Sequence, residues 1–276
     1  MKKNNVFKHL ITPVILMILI LTGFVIYRLG NYPTIHFLKW HGLATAPDLG
    51  ESVPLENYDL SPDLMVISPD YPLDEATIPE IVEYRSTGVL MAEDITESYG
   101  QLSDYIREHF NNTLYIESSF RSFEDQERIL AEEGPEIAAL PGCSEHQSGL
   151  SLDVYVMYFG GSAFINSNVG KFVNTNCGDF GFIIRYPLGA ENITGFKYEP
   201  WHIRYVGLPH SKIITENNIT LEEYIDSLTP DTWYSYGEYI ISRRSPDSLM
   251  IPERYKDNDI KVCPDNMGYV IVTIHI

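Results

Sequence analysis

Alternation of apolar and polar residues is the clearest regular pattern in the middle of the chain. From Leu150 to Val156 every second residue is apolar, which predicts a strand with Asp153 on its non-core face. Upstream, apolar residues recur at intervals of three or four, which predicts an amphipathic helix. Its core stripe consists of Ile95, Tyr99, Leu102, Ile106 and Phe110. Such helices together with mostly alternating strands predict an α+β fold with an antiparallel central sheet flanked by helices.

Changes in this pattern divide the chain into four parts. Residues 31–60 mix proline and glycine without a sustained period and are interpreted as a linker. Residues 61–228 form the main domain, which includes a short apolar strand predicted over Leu64 to Ile67. Two β-rich runs after Pro230 predict a small C-terminal extension over residues 229–276. Residues 1–30 are distinct from all of these.

An uncharged apolar run of 18 residues, Leu10 to Tyr27, is long enough for a transmembrane helix. Lysines at positions 2, 3 and 8 precede it, which favours a cytoplasmic N-terminus. The bulky residues that follow it offer no signal-peptidase site, so an uncleaved anchor is predicted over a removed signal peptide or a buried core helix. We therefore expect a single-pass protein of the cell membrane, with residues 1–30 as cytoplasmic tip and anchor and the main domain outside the cytoplasm.

Charge and cysteine content exclude some other classes of protein. A net charge of −19 argues against nucleic-acid binding and against tight adhesion to anionic lipid. Three cysteines do not provide a disulfide framework. A bridge between Cys143 and Cys177 is left open, as is a Cys-x-x-His zinc pair formed by Cys143 and His146.

Two segments about fifty residues apart supply two imidazoles and two carboxylates. These residues are His146 and Asp153 in the first segment, and Glu199 and His202 in the second. Three nitrogen or oxygen ligands, an open position for water and a spare carboxylate as base are the inventory of a catalytic zinc site. Gly149 permits the tight loop that brings His146 beside Asp153.

The second segment is not a metalloprotease helix. Pro200 lacks an amide donor and disfavours helical dihedral angles at Glu199, so a bend must place Glu199 and His202. His202 and Arg204 lie on one side of the strand-like run that follows, which directs His202 towards a polar cleft. A single histidine is more often a hydrogen-bonded structural residue, which is our expectation for His210.

These residues resemble the zinc D-Ala-D-Ala carboxypeptidases of the VanY type, a family grouped with the VanX-type dipeptidases. The resemblance covers roughly residues 60–228 and extends to the membrane-anchored vancomycin-resistance subgroup. Three motifs carry it in order, namely Arg121-Ser122-x-x-x-Gln126, Ser144-x-His146-x-x-Gly149-x-Ser151-x-Asp153 and Glu199-Pro200-Trp201-His202-x-Arg204-Tyr205-Val206-Gly207. Residues 61–228 are thereby expected to form a zinc D,D-carboxypeptidase domain whose cleft contains the metal.

The resemblance implies a role for each site residue. One Zn²⁺ per chain would be held by His146, Asp153 and His202, with Glu199 as the base. Arg121 would stabilise the oxyanion, although by position alone it reads as a solvated charge at a strand–helix junction. Candidates for binding substrate or shaping its pocket are Ser144, Ser151, Gln126 and Trp201.

The substrate implied by the resemblance is a peptidoglycan precursor stem peptide ending in D-Ala-D-Ala. Release of the terminal D-Ala would remove the end that vancomycin binds and so contribute to resistance. Three alternatives remain open: an L,D-carboxypeptidase acting on tetrapeptides, a D,D-dipeptidase, and a zinc-stabilised cell-wall binding module without turnover.

Overall fold

The computed structural model describes residues 44–46, 48–135, 138–247 and 249–276. Within those ranges, no helix has both the length and the apolar character needed to cross a bilayer. The transmembrane run predicted for residues 10–27 lies outside the described residues.

Six α-helices and thirteen strands make up the regular structure of the described residues. The helices are α1 Thr96–Phe110, α2 Phe123–Glu133, α3 Asn168–Asn176, α4 Glu191–Thr194, α5 His210–Asn217 and α6 Leu221–Ser227. The first eight strands are β1 Ala44–Thr45, β2 Ser52–Pro54, β3 Ile81–Glu83, β4 Leu90–Ala92, β5 Tyr115–Ser118, β6 Ser151–Tyr155, β7 Phe182–Ile184 and β8 His202–Tyr205. The remaining strands are β9 Trp233–Tyr236, β10 Tyr239–Arg244, β11 Met250–Pro252, β12 Asp259–Pro264 and β13 Val270–His275.

A four-stranded antiparallel sheet in the order β5-β6-β8-β7 forms the centre of the main domain. The alternating apolar residues from Leu150 to Val156 are buried in a core shared with residues of α1 and α3. The other face of β6 carries Asp153, which is only partly buried. The predicted mixed fold with an antiparallel central sheet is confirmed.

A second antiparallel sheet, in the order β1-β9-β10-β13-β12, contains four of the five strands that the structure describes after residue 228. The two ends of the described chain pair with each other twice: β1 pairs with β9 in this sheet, and β2 pairs with β11 in a separate two-stranded sheet. Residues 44–45 and 52–54 therefore form strands that pair with the C-terminal region, whereas the sequence predicts a linker there. These two pairings join residues far apart in sequence, and such pairing leaves no local periodicity.

The segment Leu64 to Ile67 is buried but is not the strand that its composition predicts. A 3₁₀ turn, Pro62–Leu64, precedes an irregular stretch. The guanidinium of Arg204 donates to the carbonyl oxygens of Asp63 and Met65 at 3.3 and 3.1 Å, which satisfies backbone groups that a strand partner would otherwise satisfy. The disulfide left open by the sequence is not formed, since Cys143 and Cys177 are free and buried.

His210 links the main domain to the second sheet. Its Nδ1 lies 2.7 Å from the hydroxyl of Tyr224 on α6, and its Nε2 lies 2.9 Å from the hydroxyl of Thr273 on β13. Both ring nitrogens thus have buried hydroxyl partners, as expected for a structural histidine. Burial, with a smaller effect from Lys261, lowers the pKa of His210 to about 3.

This lowered pKa predicts an acid-dependent loss of stability. Below its ordinary pKa of 6.5 the unfolded chain protonates at His210 while the folded protein does not, so the free energy of unfolding falls as the pH decreases towards 3. Between pH 7 and pH 5 the free energy of unfolding of the wild type should fall by about 2 kcal/mol more than that of His210→Gln. Denaturant unfolding at each pH measures both values. Parallel pH profiles in the two proteins would contradict this.

Candidate active site

Three neighbouring strands bring the candidate residues into one line across the central sheet. Asp153 on β6 lies directly opposite His202 on β8, and Ser118 on β5 lies opposite Asp153 from the other side. Directly opposed residues have Cβ atoms about 5 Å apart. Asp153 and His202 are therefore neighbours although 49 positions separate them.

His146 reaches the same place through a short turn. It lies in the 3₁₀ segment Glu145–Ser148, which ends at Gly149 with a φ of 71°. A Cβ at Gly149 would lie 2.5 Å from the Cδ1 atom of Ile81 and 3.0 Å from the backbone nitrogen of Ala92. Both the left-handed backbone and the close packing therefore require glycine here.

The three predicted ligands form a compact cluster. Suitable atoms of His146, Asp153 and His202 all lie within 4.8 Å of one another. His146 Nε2 is 3.2 Å from Asp153 Oδ2, and His202 Nδ1 is 2.9 Å from Asp153 Oδ1. Two imidazoles and one carboxylate are the donor types of a three-ligand catalytic zinc site.

The electrostatics of this cluster favour a cation. Burial opposes ionisation of Asp153, but its hydrogen bonds to His146 and His202 hold the pKa of its carboxyl well below the ordinary value. Burial also opposes protonation of His202, yet Asp153 and Glu145 raise its pKa to about 9. Without a metal, these carboxylates thus stabilise a proton on His202. The same negative field would stabilise a metal ion.

Glu199 lies beside this cluster at the predicted bend. Its amide donates to the carbonyl of Tyr186 at 3.0 Å, and its carbonyl accepts from the amide of His202 at 3.1 Å. Glu199 Oε2 is 3.9 Å from His202 Nδ1. Burial raises the pKa of the Glu199 carboxyl, which makes it a stronger proton acceptor when ionised.

Arg121 approaches the cluster from β5. Its Nη2 donates to Ser118 Oγ at 2.7 Å and lies 4.0 Å from Asp153 Oδ2. The side chain is partly exposed, so its remaining donors can reach a bound molecule. The structure therefore places Arg121 at the cleft and not among the solvated surface charges.

Every predicted site residue except Ser151 lines one cavity of about 270 Å³. Ser144 and Gln126 are both buried along its wall, and the Gln126 amide nitrogen donates to the Ala139 carbonyl at 2.9 Å. No described residue hydrogen-bonds the Oε1 atom of Gln126, so this oxygen is available as an acceptor. Trp201 also lines this cavity.

Ser151 does not reach the cavity, which corrects its predicted role in substrate binding. It shares the strand face of Asp153, but it is fully buried and its hydroxyl donates to Glu145 Oε2 at 3.1 Å. The Glu145 side chain occupies the space in front of it. The sequence pattern places Ser151 on the correct face and does not reveal what covers that face.

Sequence reasoning missed a buried ionic network behind the site. Glu145 Oε1 accepts from Arg185 Nε at 2.6 Å and lies 3.0 Å from Arg204 Nη1. The Nη atoms of Arg185 donate to both carboxylate oxygens of Glu222, at 2.6 and 3.0 Å. Burial opposes ionisation of Glu145, but the two arginines hold its pKa below the ordinary value. One available signal was Arg185, a charged residue directly after the apolar residues Phe182–Ile184.

Comparison with known sequences gives a consistent family. The profile of the VanY family, described as D-alanyl-D-alanine carboxypeptidase, matches residues 89–208. An Enterococcus faecium D-alanyl-D-alanine carboxypeptidase is 35% identical over 201 residues, which are 68% of this chain and 62% of that relative. The Enterococcus gallinarum bifunctional D-Ala-D-Ala dipeptidase and carboxypeptidase VanXYC is 41% identical over 133 residues, 42% of this chain and 67% of that relative. The chain thus spans less than two thirds of the first of these relatives.

Solved structures with a similar fold include three peptidases. The vancomycin-resistance D,D-dipeptidase VanXYg, solved with a D-Ala-D-Ala phosphinate analogue, has a TM-score of 0.67 and 28% identity over 78% of this chain and 94% of that one. A D,D-pentapeptidase VanY from a VanB-type resistance cassette, solved with Zn(II), has a TM-score of 0.53 and 29% identity. The match covers 59% of this chain and 98% of that one. The LD-carboxypeptidase LdcB has a TM-score of 0.54 and 31% identity, and the match covers 59% of this chain and 85% of that one.

The sequence matches and the structural matches identify the same group of enzymes, and the motifs of that group meet in one cavity of this fold. The chain belongs to the VanY family of D-alanyl-D-alanine carboxypeptidases.

Proposed function

We propose that this protein is a zinc-dependent D,D-carboxypeptidase that releases the terminal D-Ala from peptidoglycan stem peptides ending in D-Ala-D-Ala. The observation that carries the proposal is the arrangement of His146, Asp153 and His202 in one cavity with Glu199 and Arg121. Three side chains suited to binding a metal, of which two are buried and one is partly buried, lie beside a carboxylate and a guanidinium. Together they supply the groups that peptide hydrolysis requires.

The residues present fit a zinc ion. His146, Asp153 and His202 would hold it, and His146 Nδ1 lies 3.0 Å from the carbonyl oxygen of Ser119, which fixes Nε2 as the nitrogen free for the metal. When bound, Zn²⁺ would acidify a water molecule and polarise a carbonyl group. The similar VanY structure solved with Zn(II) supports this assignment.

Glu199 and Arg121 would carry out the proton transfer and the charge stabilisation. Burial raises the pKa of the Glu199 carboxyl. Glu199 accepts the proton of the attacking water and passes it to the departing amine of D-Ala. Arg121 donates hydrogen bonds to the carbonyl oxygen of the scissile bond as negative charge develops there. Gln126 and Ser144 hydrogen-bond the substrate from the cavity wall, and Trp201 limits the space beside it.

The cellular setting is part of the proposal. A single-pass anchor over residues 10–27, with lysines on its N-terminal side, would hold the main domain outside the cytoplasm, where exported precursors and cell wall are accessible. The similarity to the vancomycin-resistance peptidases VanXYg and VanY supports a contribution to glycopeptide resistance. Loss of the terminal D-Ala would remove the target of the antibiotic.

Release of D-Ala by the full-length chain tests this function. The substrates are a pentapeptide ending in D-Ala-D-Ala, the corresponding tetrapeptide and the free dipeptide. Each substrate is tested with and without a chelator, and with and without added Zn²⁺. We expect chelator-sensitive cleavage, and we expect the pentapeptide to be cleaved faster than the tetrapeptide and the dipeptide. Cleavage mainly of the dipeptide would favour the dipeptidase activity named for VanXYC, and cleavage only of the tetrapeptide would favour that of LdcB. No cleavage with zinc bound would favour a binding module.

Arg121→Ala should lower kcat for the pentapeptide by about 10²–10³-fold, because one donor to the developing oxyanion is removed. The zinc content should not change, since Arg121 is not in the ligand cluster. Steady-state kinetics and metal analysis measure both quantities. Arg128→Ala is the matched control, because Arg128 is exposed on α2 and pairs only with Asp125 and Glu132 in the ion pairs of the described chain. An unchanged kcat in Arg121→Ala would remove Arg121 from this role.

A further inference from the structure

Glu145 lies behind the candidate metal ligands, and its side chain has no solvent exposure. Its two carboxylate oxygens have different partners. Oε1 accepts from Arg185 at 2.6 Å and lies 3.0 Å from Arg204, whereas Oε2 has one hydrogen bond among the described residues, from the hydroxyl of Ser151 at 3.1 Å. The arginines thus fix the carboxylate through one oxygen, and the other oxygen retains capacity to accept a hydrogen bond.

That second oxygen faces His202. The Nδ1 atom of His202 points to Asp153 Oδ1 at 2.9 Å, and its buried Nε2 has no hydrogen-bond partner in the described part of the chain. Glu145 Oε2 lies 3.7 Å from this Nε2, slightly beyond hydrogen-bond length. An imidazole that binds a metal through Nδ1 carries its proton on Nε2, and a buried N–H requires an acceptor.

The two histidines of the cluster are therefore held in opposite orientations. His146 has Nδ1 at 3.0 Å from a backbone carbonyl, that of Ser119, and turns Nε2 towards Asp153. His202 turns Nδ1 towards Asp153 and Nε2 towards a carboxylate. A carboxylate behind a histidine ligand fixes its tautomer and increases its basicity, which strengthens metal binding.

We propose that Glu145 is a positioning residue that holds His202 with Nδ1 towards the metal, and that Arg185 and Arg204 keep the Glu145 carboxylate in place. The inference rests on the proposed zinc site. Burying these charged groups is unfavourable, and an apolar cluster of the same volume would often be equally stable. Stability alone does not require a carboxylate at position 145. The positioning of His202 accounts for it.

Metal affinity tests this role separately from stability. In the full-length chain, Glu145→Gln should weaken Zn²⁺ binding by about 10–100-fold, measured by competition with a chromophoric chelator. The matched control is Glu222→Gln, which perturbs the far end of the same network through Arg185 without contacting His202. We expect the control to lose thermal stability in the metal-free state but to keep wild-type affinity. Equal affinity losses in both variants, or none in Glu145→Gln, would overturn the proposal.

A second measurement uses the wild type and does not depend on the folding of a variant. Nitrogen-15 chemical shifts of the His202 ring in the zinc-loaded protein should show a protonated Nε2 and a metal-bound Nδ1. Coordination through Nε2 would overturn the role of Glu145, even if the enzyme cleaves the pentapeptide normally. A wild-type chain that binds no Zn²⁺ would overturn both this inference and the proposed function.

Discussion

Replacing Glu199 with alanine should lower kcat for D-Ala release by about 10²–10⁴-fold, the usual contribution of a general acid–base residue. The Glu199 carboxylate lies next to the ligand cluster without belonging to it, and burial raises its pKa. The variant should therefore retain its zinc while losing turnover. Steady-state kinetics on the pentapeptide, with metal analysis of the same sample, measure both effects.

Glu133→Ala is the matched control for this experiment. Glu133 lines the same cavity but is exposed and lies outside the ligand cluster, so its removal should leave kcat nearly unchanged. Retained activity in Glu199→Ala would exclude Glu199 as the base. Loss of zinc from that variant would instead make Glu199 a ligand.

The loss of a metal ligand should have an even larger effect. In His146→Ala we expect activity at the level of the uncatalysed reaction and a zinc content well below one per chain, because two side chains cannot complete the three-ligand site. Chelator treatment of the wild type should have the same result. Added Zn²⁺ should restore the activity of the chelated wild type but not that of His146→Ala. Metal analysis and D-Ala release are the readouts.

His109→Ala is the control for histidine removal. His109 is exposed near the end of α1, where its Nδ1 lies 2.9 Å from the carbonyl of Tyr105, so its loss should change neither zinc content nor activity. A chelated wild type that remains fully active would contradict a metal-dependent mechanism. It would leave the histidines of the cluster with another role.

Local sequence determined the parts of the site that depend on neighbouring residues. Alternation from Leu150 to Val156 places Asp153 on the non-core side of β6, since the side-chain period of a strand is two. Gly149 allows the turn that brings His146 to the strand, and Pro200 forces the bend at Glu199. Each of these is a property of a few consecutive residues, so the pattern of the chain is sufficient to predict it.

Tertiary structure decided the contacts between segments that are distant in sequence. The register of β6 against β8 sets Asp153 opposite His202, and alternation by itself does not determine that register. The charge of Glu145 is balanced by Arg185, 40 positions away, and this buried pair excludes Ser151 from the cavity. The pairing of β1 with β9 likewise adds an apparent linker to a sheet. The sequence determined which faces and turns exist, whereas only the packed fold determined which of them meet, because long-range pairing depends on the whole chain.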